Sequence, residues 1–140
     1  MADYYTNFSM ILKLGNETEQ AYAIDLAHKA SIVQQGEDAP EDFPKELLGV
    51  IEDWQFETEA DNSSTKYGLW LHSMDGGIDA ACQFIQHLLQ KFDLAHSVSF
   101  EWSHDCSKQR VDAYGGGAAF ITAKEIKTMS TAAWLGRINK

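Results

Sequence analysis

Apolar residues recur along this chain at two different spacings, and the spacing changes from one segment to the next. From 8 to 14, apolar side chains stand at every second position, which predicts a strand with one buried face. From 17 to 33 the spacing becomes helical, and Asn16 suits the helix N-cap. From 78 to 92, apolar residues follow the i, i+3, i+4, i+7 rule and predict a second long helix.

Strand-like alternation returns between and after these helices. The segments 51–59 and 67–73 alternate apolar and polar residues on either side of a turn, so they predict a hairpin. A further strand is predicted at 98–102 and a fifth at 118–123. Thr122 with Glu125 resembles a capping box, which predicts a terminal helix from there to about Ile138.

The resulting order, β-α-β-β-α-β, predicts an α+β fold of ferredoxin-like type. In that arrangement an antiparallel sheet carries two helices on one face, and this chain adds a fifth strand and a C-terminal helix. The clearest loop, 35–44, holds both prolines, but neither side of it could build a core alone. Residues 1–140 are therefore expected to form a single domain.

Composition places the chain among globular proteins. It has 140 residues, of which 44% are hydrophobic, and no apolar run approaches the ~20 residues of a membrane span. The first residues lack the basic start and apolar middle of a signal peptide. Cys82 and Cys106 do not make a disulfide framework, so we expect a cytoplasmic protein with no membrane partner.

The charge is unevenly distributed. Residues 1–62 hold 14 acids and 3 bases, and within 37–61 ten carboxylates accompany the single base Lys45. Such a segment argues against direct binding of nucleic acid and favours a protein partner with a basic surface. The predicted acidic patch comprises Glu37, Asp38, Glu41, Asp42, Glu46, Glu52, Asp53, Glu57, Glu59 and Asp61.

The densest group of reactive side chains lies in a predicted loop, 103–117. Cys106 could act as a nucleophilic thiol, with His104 nearby or with two basic residues lowering its pKa. His104 and Cys106 could instead contribute to a metal site with His72 or His96, although a single His-x-Cys is far from the four ligands of structural zinc.

The same loop offers a third chemistry, because Lys108 and Arg110 precede successive glycines whose amides could form an anion-binding nest. It matches neither the P-loop nor the dinucleotide fingerprint, and three glycines before a strand also suit close backbone packing. We expect no bound cofactor or metal. The alternative ligand site comprises His104, Cys106, Lys108, Arg110, Tyr114, Gly115, Gly116 and Gly117.

Other polar residues fit structural roles. Glu57 and Glu59 are interpreted as a solvated strand face rather than as a catalytic pair, and His28 and His87 as partly buried neighbours of the helical core stripe. Trp70 and His72 are predicted on the sheet face opposite Leu69 and Leu71, either under the C-terminal helix or exposed for a partner.

The segment FEWSHDCSKQRVDAYGGGAAFITAKEI resembles one found in small uncharacterised proteins of bacteria and their phages. The resemblance extends over roughly residues 70–125 and implies no role for any residue.

These observations favour a non-catalytic protein that binds another macromolecule. One form is a phage or mobile-element inhibitor, whose carboxylates occupy the basic surface of a nucleic-acid-binding partner. The alternative is a small enzyme or an anion-binding domain with its site in 103–117. A homodimer formed through the open face of the sheet is a further possibility.

Overall fold

A computed structural model describes residues 4–63, 65–108 and 114–139. The described residues form six strands: β1 (Tyr4–Lys13), β2 (Glu57–Asp61), β3 (Gly68–Ser73), β4 (Val98–Cys106), β5 (Gly115–Ile121) and β6 (Ile126–Ser130). They also form four helices: α1 (Glu17–Gln34), α2 (Lys45–Leu48), α3 (Ile78–Lys91) and α4 (Thr131–Ile138), with a 3-10 turn at Ile51–Asp53.

The strands make one antiparallel sheet in the order β2-β3-β1-β4-β5-β6. The predicted α+β class is therefore confirmed, with six described strands where the sequence predicted five. The two outer strands are β2 and β6, which places the N-terminal acidic segment and the C-terminal segment at opposite edges of the sheet.

One face of the sheet packs against α1 and α3 and holds the core. Leu12, Leu69 and Ile121 on the strands are fully buried with Phe84 and Leu88 of α3. The same core takes in Ala23, Ala27 and Ala30 of α1, whose small side chains bring that helix close to the sheet. In α3 the apolar positions that predicted the helix are thus the ones that fix it to the sheet, whereas α1 turns Ala23, Leu26 and Ala30 to the core and leaves Ile32 exposed.

The other face of the sheet, here called the open face, carries the alternate side chains. Each of its described non-glycine side chains is exposed or half-buried. They are Tyr5, Asn7, Ser9, Ile11, Lys13, Glu57, Glu59, Asp61, Trp70, His72, Ser99, Glu101, Ser103, Asp105, Ala118, Phe120, Lys127 and Met129.

The strand predicted at 51–59 is wrong in its first half. Residues Ile51–Asp53 form the 3-10 turn, and β2 begins only at Glu57. The turn is held because the Trp54 amide donates to the Ile51 carbonyl and the Asp53 carboxylate accepts from the amide of Ala80. Trp54 is buried, and it reaches the core from the end of this turn rather than from a strand.

The terminal helix is predicted too early. Thr122 Oγ1 does accept from the amides of Lys124 and Glu125, but this turn leads into β6, whose residues pair with β5. The helix that follows starts at Thr131, where Ser130 Oγ accepts from the Ala133 amide. The apolar residues near 126–129 fit both a helical and a strand spacing, and pairing with β5 makes this segment a strand.

Among the described helices, none combines the length and the apolar character that a membrane span requires.

Candidate functional site

The open face gathers carboxylates from two distant parts of the sequence. On β2, Glu57 stands opposite His72 of β3 and Glu59 opposite Trp70. On β4, Ser103 stands opposite Asn7 of β1. Since alternate residues of a strand share a face, Glu101 and Asp105 lie on this side with Ser103. With Asp61 the face presents five carboxylates against Lys13 and Lys127, a balance of −3.

An aromatic pair lies beside the β2 carboxylates. The rings of Trp70 and His72 stack with their centroids 3.9 Å apart and their planes 27° apart. Trp70 Nε1 donates to Ser9 Oγ at 2.7 Å, and His72 Nε2 lies 2.9 Å from Glu59 Oε2. A half-buried aromatic flanked by carboxylates can bind a guanidinium or ammonium group through both ring and charge.

The remaining predicted acids lie elsewhere. Glu37, Glu41 and their neighbours are exposed in the connection between α1 and α2. That connection is fixed to the helix layer, because Phe43 is buried in the core. The structure therefore divides the predicted acidic patch: Glu57, Glu59 and Asp61 belong to the open face, and the loop acids belong to the helix side.

Two of the predicted acids bind protein groups on the helix side. Glu46 Oε1 lies 2.8 Å from His87 Nδ1, and His87 Nε2 lies 2.8 Å from Tyr22 Oη. This chain of contacts joins α2, α3 and α1. The carboxylate of Asp53 has a different partner. It accepts a hydrogen bond of 3.2 Å from the amide of Ala80 at the start of α3.

The pKa values of both end groups of the Glu46–His87–Tyr22 chain differ from their ordinary values. A hydrogen bond from its own backbone holds the pKa of Glu46 below the ordinary value; burial opposes this shift, and the hydrogen bond and charge of His87 add to it. The pKa of Tyr22 is raised by burial and then by Glu46 and Asp42. Sequence reasoning missed this role of His87; its position between Phe84 and Leu88 of the buried stripe was the available signal.

Of the described residues in the predicted loop 103–117, residues 103–106 and 115–117 belong to strands. His104 and Cys106 belong to β4 and face the helix side, opposite Thr6 and Tyr4 of β1. Thr6 Oγ1 lies 2.8 Å from His104 Nδ1. An open cleft of about 500 Å³ adjoins this end of the sheet, lined by Tyr4, Thr6, Gln34, Trp54, Gln55 and Asp75.

The three glycines of the predicted nest lie in β5. Gly115, Gly116 and Gly117 pair with His104, Ser103 and Trp102 of β4. The amide of Gly116 donates to Thr131 Oγ1 at 3.1 Å, so a protein oxygen already occupies it. A side chain at Gly117 would collide with the Trp102 ring and the Met129 carbonyl, which explains why this position lacks a Cβ.

The rest of the alternative site is only partly described. Lys108 and Tyr114 are exposed, and Arg110 lies outside the described residues. His72 faces the open side of the sheet whereas His104 faces the helix side, so the sheet separates these two proposed ligands. No cluster of three His, Cys, Asp or Glu side chains able to hold a metal occurs in the described part of the chain.

The two cysteines differ in their surroundings. Cys82 is buried, and burial together with Asp79 and Asp53 raises its pKa to about 12. Its thiol therefore stays protonated at neutral pH and is a poor nucleophile. Cys106 is half-buried at the end of β4.

Comparison of the chain with protein-family models, with curated proteins and with solved structures finds no match. The geometry of the open face and of the cleft lined by Thr6 and Asp75 is therefore the basis for assigning a function.

Proposed function

We propose that this protein binds a basic partner protein without catalysing a reaction, and that the open face of the sheet is the binding surface. The observation that carries this proposal is the register of β2 and β4, which puts five carboxylates on a face that the described helices leave exposed, with Glu59 opposite Trp70. Charged groups arranged in this way attract a complementary surface and raise the rate of encounter.

One form of this function is inhibition of a nucleic-acid-binding protein of a host by a phage or mobile-element product. Successive carboxylates on one strand face are about 6.8 Å apart, and they form a row of negative charge like that of a nucleic-acid backbone. The overall balance of −10 supports capture of a basic surface and opposes binding of nucleic acid itself.

We also infer that β1 to β4 with α1 and α3 are an extended variant of the ferredoxin-like arrangement. The neighbour order β2-β3-β1-β4 supports this inference, with β5 and β6 added beyond β4. In such a sheet the face without helices is the natural place for a partner.

The alternative, a ligand site in 103–117, has less support. The Gly116 amide has a protein acceptor, and His104 is engaged by Thr6. The cleft lined by Thr6 and Asp75 is open, and the described part of the chain holds no cluster of three metal-ligating side chains there.

The open face is tested by neutralising three of its exposed glutamates, with the variant Glu57→Gln, Glu59→Gln, Glu101→Gln. Binding is measured by fluorescence anisotropy with a labelled nona-arginine peptide at low and high salt. We expect the affinity to fall about tenfold at low salt, at roughly 0.5 kcal/mol for each exposed charge pair. At high salt the natural chain and the variant should bind the peptide with similar affinity, because salt screens the attraction between the charges.

The matched control removes the same number of charges from the helix side, with Glu37→Gln, Glu41→Gln, Glu52→Gln. These three glutamates are exposed and lie away from the open face. We expect this control to retain most of the affinity. Equal losses in the two variants would show that only the total charge matters and would remove the open face from the proposal.

A further inference from the structure

The two outer strands of the sheet are protected to different degrees. The edge strand β2 carries three acids, Glu57, Glu59 and Asp61, and a charged edge resists pairing with another strand. The edge strand β6 carries one charge, Lys127, within the sequence Ile-Lys-Thr-Met-Ser. In the described chain no strand pairs with its outer backbone groups, and a single lysine protects them less than three acids protect the edge of β2.

The helix next to β6 exposes apolar side chains. Trp134, Leu135 and Ile138 are 48%, 47% and 57% exposed, and every residue of α4 is exposed. A helix of eight residues is too short to be stable alone in water, so it depends on packing. The described contact of α4 with the sheet is at the start of β5, where Thr131 Oγ1 accepts from the Gly116 amide, and no described element pairs with the outer edge of β6.

We propose that a second copy of this chain covers this surface, through antiparallel pairing of β6 with β6 centred on Thr128. In that register Lys127 stands opposite Met129 of the second copy on the open-face side, and Ile126 stands opposite Ser130. The alkyl stem of Lys127 can pack on the methionine while its charge stays in water. The strand is thus self-complementary, as the twofold interface of a homodimer requires.

Electrostatics selects this edge over the other surfaces. Each copy has a balance of −10, so two copies associate best where the acids are fewest. Contact through β2 or through the open face would oppose the carboxylates of both copies. Residues 114–139 contain Lys124, Lys127 and Arg137 against Glu125, a balance of +2, and β6 lies at the edge farthest from β2.

The first experiment is sedimentation velocity over a concentration series. The natural chain is expected to sediment as a dimer of the 15.7 kDa chain, and Met129→Lys as a monomer. The matched control is Met74→Lys, because Met74 is 59% exposed but lies in the turn after β3. This control should remain dimeric. A natural chain that is monomeric throughout, or a dimer that survives Met129→Lys, would overturn the proposal.

The second experiment tests the register directly. In a Cys106→Ser background, Thr128→Cys places two thiols opposite each other across the twofold axis, where Cα atoms are about 4.5–5.5 Å apart and a disulfide can form. We expect rapid oxidation to a covalent dimer. Thr58→Cys, on the other edge strand β2, should stay monomeric under the same conditions. Circular dichroism checks that each variant is folded, and equal cross-linking of the two variants would exclude the β6 interface.

Discussion

The two edges of the sheet combine charge and apolar residues in opposite ways. At the β2 edge the acids are exposed, while Phe43, Leu47 and Trp54 from the same segment are buried. At the β6 edge charges are few, and Trp134 with Ile138 remains half exposed or more. The first edge is a surface suited to water and to a basic partner. The second has the character of an interface, and its apolar residues indicate where another chain belongs.

The largest effect expected at the β6 edge comes from Gly117→Ala. The added Cβ collides with the Trp102 ring and with the Met129 carbonyl, so β5 must move away from both neighbouring strands. We expect a loss of about 2–4 kcal/mol in the free energy of unfolding, measured by urea denaturation.

The matched control is Gly136→Ala in α4, where a Cβ meets nothing within 4 Å. Alanine favours the helix over glycine by about 1 kcal/mol, so this variant should be neutral or slightly more stable. If Gly117→Ala were equally harmless, the contact between Trp102 and β5 would not constrain that edge.

A smaller loss of stability is expected when either of two glutamate-bound histidines is replaced, and the loss should differ between them. The His87 side chain is 12% exposed and joins Glu46 to Tyr22, whereas the His72 side chain on the open face is 22% exposed and binds Glu59. His87→Ala leaves two polar groups without their partner, and we expect a cost of about 1–3 kcal/mol. His72→Ala should cost under about 1 kcal/mol, because its glutamate is largely solvated. Thermal unfolding of the two variants measures the difference, and a reversed order would contradict the role assigned to His87.

The smallest effect is the pH dependence contributed by Glu46. Its pKa is lowered in the folded chain, so its carboxylate stabilises the fold above the unfolded value of 4.5, and this contribution is lost as pH falls through the folded pKa. The natural chain should thus have a higher free energy of unfolding than Glu46→Gln at neutral pH, and this difference should disappear in acid. Urea denaturation at several pH values measures it, with Glu41→Gln as the control for loss of one exposed charge. A difference in stability that increased in acid would contradict the lowered pKa of Glu46.

Local patterns predicted the elements whose period is unambiguous. The stripe around Ile85 and Leu88 gave α3 nearly to the residue, and alternation around Leu69 and Leu71 gave β3. The errors occurred where short segments fitted either period. The Thr122 hydroxyl makes the local hydrogen bonds of a cap, but the choice between helix and strand after it depended on a neighbouring strand, β5.

The candidate site was predictable only in part. Alternation correctly placed Trp70 and His72 on the face opposite Leu69, and it also put Glu57 and Glu59 on one strand face. Alternation with the buried Val98 and Phe100 also puts Glu101 on this face, but its distance from Trp70 depends on the strand order β3-β1-β4. In the same way, the link from Glu46 to His87 joins residues 41 positions apart and needs the packing of α2 on α3.

The carboxylate of Asp53 has a consequence for the order in which the chain folds. It binds the amide of Ala80, 27 residues away, at the start of a helix whose own N-cap residue, Gly77, offers no side chain. The hydrogen bonds of the first turn of α3 are therefore complete only when the 3-10 turn has packed against it. The amides of both segments should become protected from hydrogen exchange together. Amides of α4, whose residues are all exposed and whose first residue alone is tied to β5 through Thr131 Oγ1 in the described chain, should exchange much earlier.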